Sequence, residues 1–320
     1  MNRPLQLCYP VTTLDGNELL PAGTFLTPDT MENLVRSAGD QTYPLLPLLA
    51  HGTIARDLDR ICKNSPYDRI FADPVRRRDV FDSMQRVEMV QPLLDIYDHF
   101  KTHDPYTYRH ILTVFALSLL LARDLIDSRK ELAMELAAAP SHDFGKICVP
   151  QAVLKKATAL SEIERQQLSH HVAAGYVLLS YYLKDPHHPA AITARDHHER
   201  CDGSGYPRGV KLHNRVVEIV AVGDVFDALI TRRPYRPRSY DLRTALEALT
   251  LQAESGAFSI EVVHSLIKLN RQDPPGLKAC KFSKELRGNP PAGNQYGGAL
   301  PCRFNGDAGA DQEDKHDCDG

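Results

Sequence analysis

The chain has 320 residues, 42% of them apolar and 25% charged, with a formal net charge of −3. That length suits about two domains plus tails. The charge supplies no basic field for a DNA or RNA polymer or for an anionic membrane. The longest apolar run, Ile111 to Ala122, falls short of the roughly 20 residues that cross a bilayer.

The opening stretch, MNRPLQLCYPVTTLDG, lacks the apolar core of a signal peptide. Seven cysteines are scattered without a C-x-x-C pair, which argues against a disulfide framework or a zinc ribbon. A cytoplasmic location is the expectation. In chain order, residues 1–75 read as a small α+β module. Asp15-Gly16-Asn17 between apolar pieces predicts a hairpin, and Thr27-Pro28 predicts a helix start with Thr as cap and Pro in the first turn. Met31, Leu34 and Val35 form that helix's apolar face and Gly39 closes it. Tyr43–Leu49, with two prolines, reads as a connection. Apolar residues at helical spacing from Val80 to Tyr97 predict one linking helix over 76–101.

From 102 to 272 the pattern is helix after helix, so this domain is expected to be all-α. Residues 106–125 are apolar nearly all round and predict a buried central helix. Ser128 to Glu131 and Ser161 to Glu164 have the form of capping boxes. Further helices are expected over 190–199, 216–230, 241–254 and 259–270. After Pro274-Pro275 the composition turns to Gly, Pro, Asn and Asp, and 273–320 is expected to be a disordered tail. The fold class is therefore mainly α, with a small α+β module in front.

Most of the 14 histidines lie between His99 and His213. His110 sits in the buried helix. His142-Asp143-Phe-Gly-Lys146 places imidazole, carboxylate and ammonium within one turn, with Asp143 and Lys146 on one face. His170-His171 follows. His197-His198 then opens the densest string, which runs through Asp202, Gly203, Gly205, Tyr206 and Pro207. Adjacent histidines on a helix diverge by about 100°, so His197 and His198 are expected to serve two neighbouring ions. Asp224 and Asp227 occupy an apolar helix, where carboxylates need a partner or a metal. Many imidazoles, at least two carboxylates and no thiolates suit two divalent ions, with Fe or Mn favoured.

His-Asp-x-Gly-Lys at 142–146 followed by His-His-Glu-x-x-Asp-Gly-x-Gly-Tyr-Pro at 197–207 resembles the HD-GYP subgroup of the HD superfamily of metal-dependent phosphohydrolases, over about residues 100–272. The resemblance implies hydrolysis of cyclic di-GMP to linear pGpG, to GMP or to both, and two adjacent cations would supply a metal-bridged hydroxide for it. It places metal ligands at His110, His142, Asp143, His171, His197, His198 and Asp224, with Asp143 bridging. It also makes Asp143 and Lys146 the catalytic pair, with Lys146 on the scissile phosphate, and gives Arg233 and Arg236 the ligand's phosphates. Tyr106 stands where some members carry a Glu for a third ion, so two ions are expected here. His170 has no ligand role and is expected beside the ligands or exposed. Two alternatives stay open: a non-catalytic cyclic di-GMP receptor acting on a signalling protein partner, and a hydrolase of another cyclic dinucleotide. The helix around 80–100 would suit a homodimer.

Overall fold

The computed structural model describes residues 5–128, 132, 138–232, 238–271, 276–283 and 285–291. The fold is mainly helical, with two small two-stranded sheets near its amino-terminal end. Val11–Thr12 pairs antiparallel with Glu18–Leu20 around the expected Asp15-Gly16-Asn17 turn. Gly16 supplies the positive φ of 83° that this turn requires. Thr27 caps the Pro28–Ser37 helix by accepting from the Thr30 amide at 3.2 Å, and that helix buries Met31 and Leu34.

Two readings of this region change. Leu45–Pro47 is a strand, antiparallel to Glu88–Val90, where a connection was expected. An edge position tolerates its proline, which has no ladder donor to offer. The expected single helix over 76–101 is two helices, Pro74–Met84 and Gln91–His103, with the second strand between them. Asp73 caps the first by accepting from the Val75 amide at 2.8 Å. Pro92 lies in the first turn of the second, the position a proline favours and one an unbroken helix could not hold without strain.

The Pro105–Leu125 helix is buried along almost its whole length, from Thr107 to Ala122. It packs against the Arg215–Ile230 helix, and the His171–Leu183 helix packs against Pro189–Asp196. Leu242–Glu254 and Ile260–Leu269 close the bundle. The capping box at Ser161–Glu164 forms as expected, while the one at Ser128–Glu131 reaches into residues outside those described. The apolar core is one contiguous cluster from Leu7 to Leu269, so the amino-terminal elements and the helical bundle share it. Of the expected tail, residues 276–283 and 285–291 include contacts back onto the bundle. Phe282 stacks on His264, and Glu247 accepts from the amides of Arg287 and Gly288. Residues 292–320 lie outside those described. Among the described residues no helix is long and apolar enough to cross a membrane.

One backbone contact decides where the polar residues of this core fall. The short Phe144–Cys148 3₁₀ helix lies directly on the His171–Leu183 helix. A Cβ on Gly145 would stand 1.9 Å from the His171 carbonyl oxygen and 2.4 Å from the Gly175 amide nitrogen. Both atoms are backbone, so neither can swing aside. Gly145→Ala should therefore destabilise the metal-free protein by about 1–3 kcal/mol, measured by urea denaturation, and an unchanged midpoint would contradict the close approach.

Candidate metal centre

The Pro105–Leu125 helix carries His110 into the middle of the bundle. His142 and Asp143 occupy the corner between two 3₁₀ turns, Ala139–Ser141 and Phe144–Cys148. His171 begins its helix, His197 and His198 follow directly on the Pro189–Asp196 helix, and Asp224 lies two turns into Arg215–Ile230. All seven side chains meet. His110, His142 and Asp224 form one group whose ligand atoms lie within 4.8 Å of one another, and His171, His197 and His198 form a second.

Asp143 stands between the groups. Its Oδ2 is 3.3 Å from His110 Nε2 and 3.6 Å from His142 Nε2. Its Oδ1 is 3.4 Å from His171 Nε2 and 3.9 Å from His197 Nε2. Each carboxylate oxygen thus faces one group. Asp224 is divided in the same way, with Oδ1 3.0 Å from His110 Nε2 and Oδ2 3.9 Å from His198 Nδ1. Lys146 donates from Nζ to Asp143 Oδ2, as the sequence spacing predicts, on a 3₁₀ turn that brings residues three apart onto one side.

Four of the imidazoles are held from behind. His142 Nδ1 donates to the Ala139 carbonyl at 3.1 Å, His171 Nδ1 to Leu168 at 2.6 Å, and His197 Nδ1 to Thr193 and Ala194 at 3.0 Å. His110 Nδ1 donates to Asp227 Oδ2 at 2.6 Å. A neutral ring that gives its Nδ1–H backward presents a lone pair at Nε2. Those lone pairs point at each other and at carboxylates. His171 Nε2 lies 3.4 Å from His197 Nε2 and 3.2 Å from His198 Nε2. His142 Nε2 is buried without a hydrogen-bond partner, and His110 Nε2 faces carboxylate oxygens of both Asp143 and Asp224. Such an array repels itself unless a cation lies between its members, and imidazole with carboxylate is a donor set that divalent metals accept. The residues present fit a metal pair.

Electrostatics agree. Burial lowers the basicity of His142, and pushes His171 and His197 down to about 4, so these rings stay neutral and keep their lone pairs. For His110 burial also works against protonation, but Asp143, Asp224 and Asp227 outweigh it and raise the ring to about 10. Three carboxylates around one imidazole call for a positive charge at Nε2, which a proton or a metal ion can supply. Burial pushes the Asp143 carboxyl up, and Lys146, His142 and His110 more than reverse it, so the group is held well below the usual carboxylate range.

The adjacent histidines behave differently from expectation. His197 and His198 face one group together, where helical geometry predicts divergence. The helix ends at Asp196, so the 100° rule no longer applies at His198. The loop after it folds back: the Tyr206 amide donates to the His198 carbonyl at 3.2 Å, and the Tyr206 ring stacks on the His198 ring at 4.6 Å. Gly203 takes a φ of 85°, and Gly205 leaves no space for a Cβ beside His198 and Glu199. Asp202 accepts from the Ser204 amide, and Pro207 follows Tyr206 in the loop. Glu199, fully buried, braces the loop by accepting from the amides of Arg208 at 2.8 Å and Val210 at 3.1 Å. Its place in the His-His-Glu string was visible in the sequence, but this role was not. Asp227 was noticed as a buried carboxylate without a role, and its hold on His110 supplies one.

His170 is neither exposed nor among the ligands. It is buried against the amino-terminal hairpin region, edge-on to the Tyr9 ring at 5.6 Å. Tyr106 stacks in parallel over His110 at 6.0 Å. A cavity of about 990 Å³ opens beside Tyr106, lined also by Arg69, Arg109, Arg232 and Tyr240. These three guanidinium groups make no ion pair among the described residues. Arg233 and Arg236 lie outside the described residues.

The sequence model of the HD domain family matches residues 88–262. A cyclic di-GMP phosphodiesterase of Thermotoga maritima is 37% identical over 172 residues, 53% of this chain and 46% of that protein. The cyclic di-GMP phosphodiesterase response regulator RpfG of Xanthomonas campestris is 42% identical over 135 residues, 42% of this chain and 35% of that protein. A 3′3′-cGAMP-specific phosphodiesterase of Vibrio cholerae is 38% identical over 134 residues, 41% of this chain and 29% of that protein. The matched region spans less than half the length of each of these relatives. With more than half of its own length matched, the chain belongs to the HD domain family, and it is related there to the HD-GYP cyclic di-GMP phosphodiesterases.

Proposed function

We propose that the protein hydrolyses a cyclic dinucleotide, cyclic di-GMP in the first place, to linear pGpG or on to GMP, at a centre that holds two divalent ions, Fe or Mn. The observation that carries this reading is the split carboxylate of Asp143, one oxygen toward each of two clusters of imidazole lone pairs. His110, His142 and Asp224 would hold one ion, and His171, His197 and His198 the other, with Asp143 shared between them. When bound, such a pair supplies Lewis-acid activation of water and neutralises charge at phosphorus.

The chain's own residues would do the rest. Lys146, partly exposed and beside Asp143, would donate from Nζ to a phosphoryl oxygen. Backbone carbonyls behind His142, His171 and His197 hold the rings in place without substrate, which would lessen the reorganisation that the reaction requires. The Tyr106 cavity, with three guanidinium groups and an aromatic wall, suits a ligand that carries two phosphates and two bases. Relatives whose names specify cyclic di-GMP or 3′3′-cGAMP both support a cyclic dinucleotide and leave the choice of base to direct comparison.

The decisive experiment is product analysis of anaerobically prepared protein supplied with Fe²⁺ or Mn²⁺ and cyclic di-GMP. Linear product is expected from the natural protein. Asp143→Ala should bind neither ion tightly and should lose turnover by at least about 10³-fold while its helical circular dichroism persists. A metal-loaded natural protein that binds cyclic di-GMP without releasing linear product would instead favour the receptor reading. Parallel rates on 3′3′-cGAMP decide the base preference. Arg109→Ala is expected to raise KM about tenfold or more with little effect on metal content; an unchanged KM would remove the Tyr106 cavity from the substrate's path.

A further inference from the structure

The segment ahead of the helical bundle reaches the metal centre directly. Tyr67 is buried, and its hydroxyl donates to Asp227 Oδ1 across 160 residues of sequence. Thr231 Oγ1, one turn further along the Arg215–Ile230 axis, also donates to that oxygen at 3.2 Å and lies 3.1 Å from the Tyr67 hydroxyl. The other oxygen, Oδ2, takes the Nδ1–H of His110 at 2.6 Å. The result is a chain of contacts from Tyr67 through Asp227 to His110, all of it at or near zero exposure.

We propose that Tyr67 is a positioning residue of the metal centre: by fixing the plane of the Asp227 carboxylate, it fixes the direction in which His110 presents Nε2 to Asp143 and Asp224. The physical reason is rotational. A carboxylate held through one oxygen alone can turn about its Cβ–Cγ bond, and the ring it orients turns with it. Donors on both oxygens remove that freedom, and of the two hydroxyls at Oδ1 that of Tyr67 makes the closer contact, with Thr231 the more distant one. Tyr67 itself is set firmly. Ile70 and Phe71 of the same segment are buried in the shared core, and Arg76 donates from Nη1 to the carbonyls of Ile70 at 3.3 Å and Leu269 at 3.0 Å. The centre is thus completed by a residue outside the matched HD domain region, which begins at residue 88.

This inference rests on the reading that the centre binds divalent ions, and its test separates the two. The full chain is stripped of metal, and Mn²⁺ affinity is measured for the natural protein, Tyr67→Phe and Thr231→Val. Loss of the hydroxyl in Tyr67→Phe should weaken Mn²⁺ binding by about 10–100-fold, and Thr231→Val should weaken it less. The unfolding midpoint of each metal-free variant is measured alongside. A lowered midpoint with Mn²⁺ affinity within twofold of the natural protein would make Tyr67 a packing residue and overturn the proposal. The downfield Nδ1–H proton resonance of His110 gives a second readout that needs no metal. It should be sharp in the natural protein and broadened by exchange in Tyr67→Phe, and an identical resonance in both would also overturn the proposal. Should the natural protein fail to bind Mn²⁺, the metal reading fails, while the proton resonance still decides whether Tyr67 fixes His110.

Discussion

Imidazole lone pairs do not tolerate one another's company inside an apolar core. Here His110, His142, His171 and His197 each give their Nδ1 proton to a fixed acceptor behind the ring and turn Nε2 toward a common space that also contains Asp143 and Asp224. Water cannot dilute this repulsion, because the ligands are almost wholly enclosed. Positive charge relieves it, whether a proton, as the raised His110 ring can carry, or divalent ions that the two groups could hold. Much of the surrounding helical packing can be read as the framework that holds that arrangement against its own electrostatics.

The division of labour among elements follows from this constraint. Two buried helices packed against each other supply His110 and Asp224. The remaining ligands come from helix ends and 3₁₀ turns, where a residue can depart from helical spacing and two neighbours can face the same way. Second contacts then hold four of the five rings: backbone carbonyls for three of them, and for His110 a carboxylate that is itself held by Tyr67 and Thr231. The loop through Gly205 and Tyr206 adds an aromatic cover over His198, and Glu199 anchors that loop from beneath.

Much of this was legible in the sequence, for identifiable reasons. The His-Asp, His-His and Asp-x-x-Asp strings stood out by residue type and spacing, the full set of seven came with the resemblance to the HD-GYP subgroup, and the helices were visible because their apolar periodicity is long. Short elements escaped. Leu45–Pro47 is three residues with a proline, too little for an alternation to register, and its partner Glu88–Val90 lay hidden inside a helical pattern broken only by Pro92. The relative facing of His197 and His198 could not be seen without knowing that the helix stops at Asp196. Nor could Tyr67 be seen: a tyrosine between Pro66 and Asp68 carries no local mark of a partner 160 residues away.

The meeting of Gly145 with the His171 and Gly175 backbone has a further consequence. Where peptide groups touch peptide groups, no rotamer or side-chain length remains as an adjustable shim. The span from the HD corner to the start of the next helix is therefore a fixed gauge, set by atomic radii alone. Small mutational steps can retune the rings, the loop and the cavity walls around it, but widening or narrowing that gap would require a different path for the main chain.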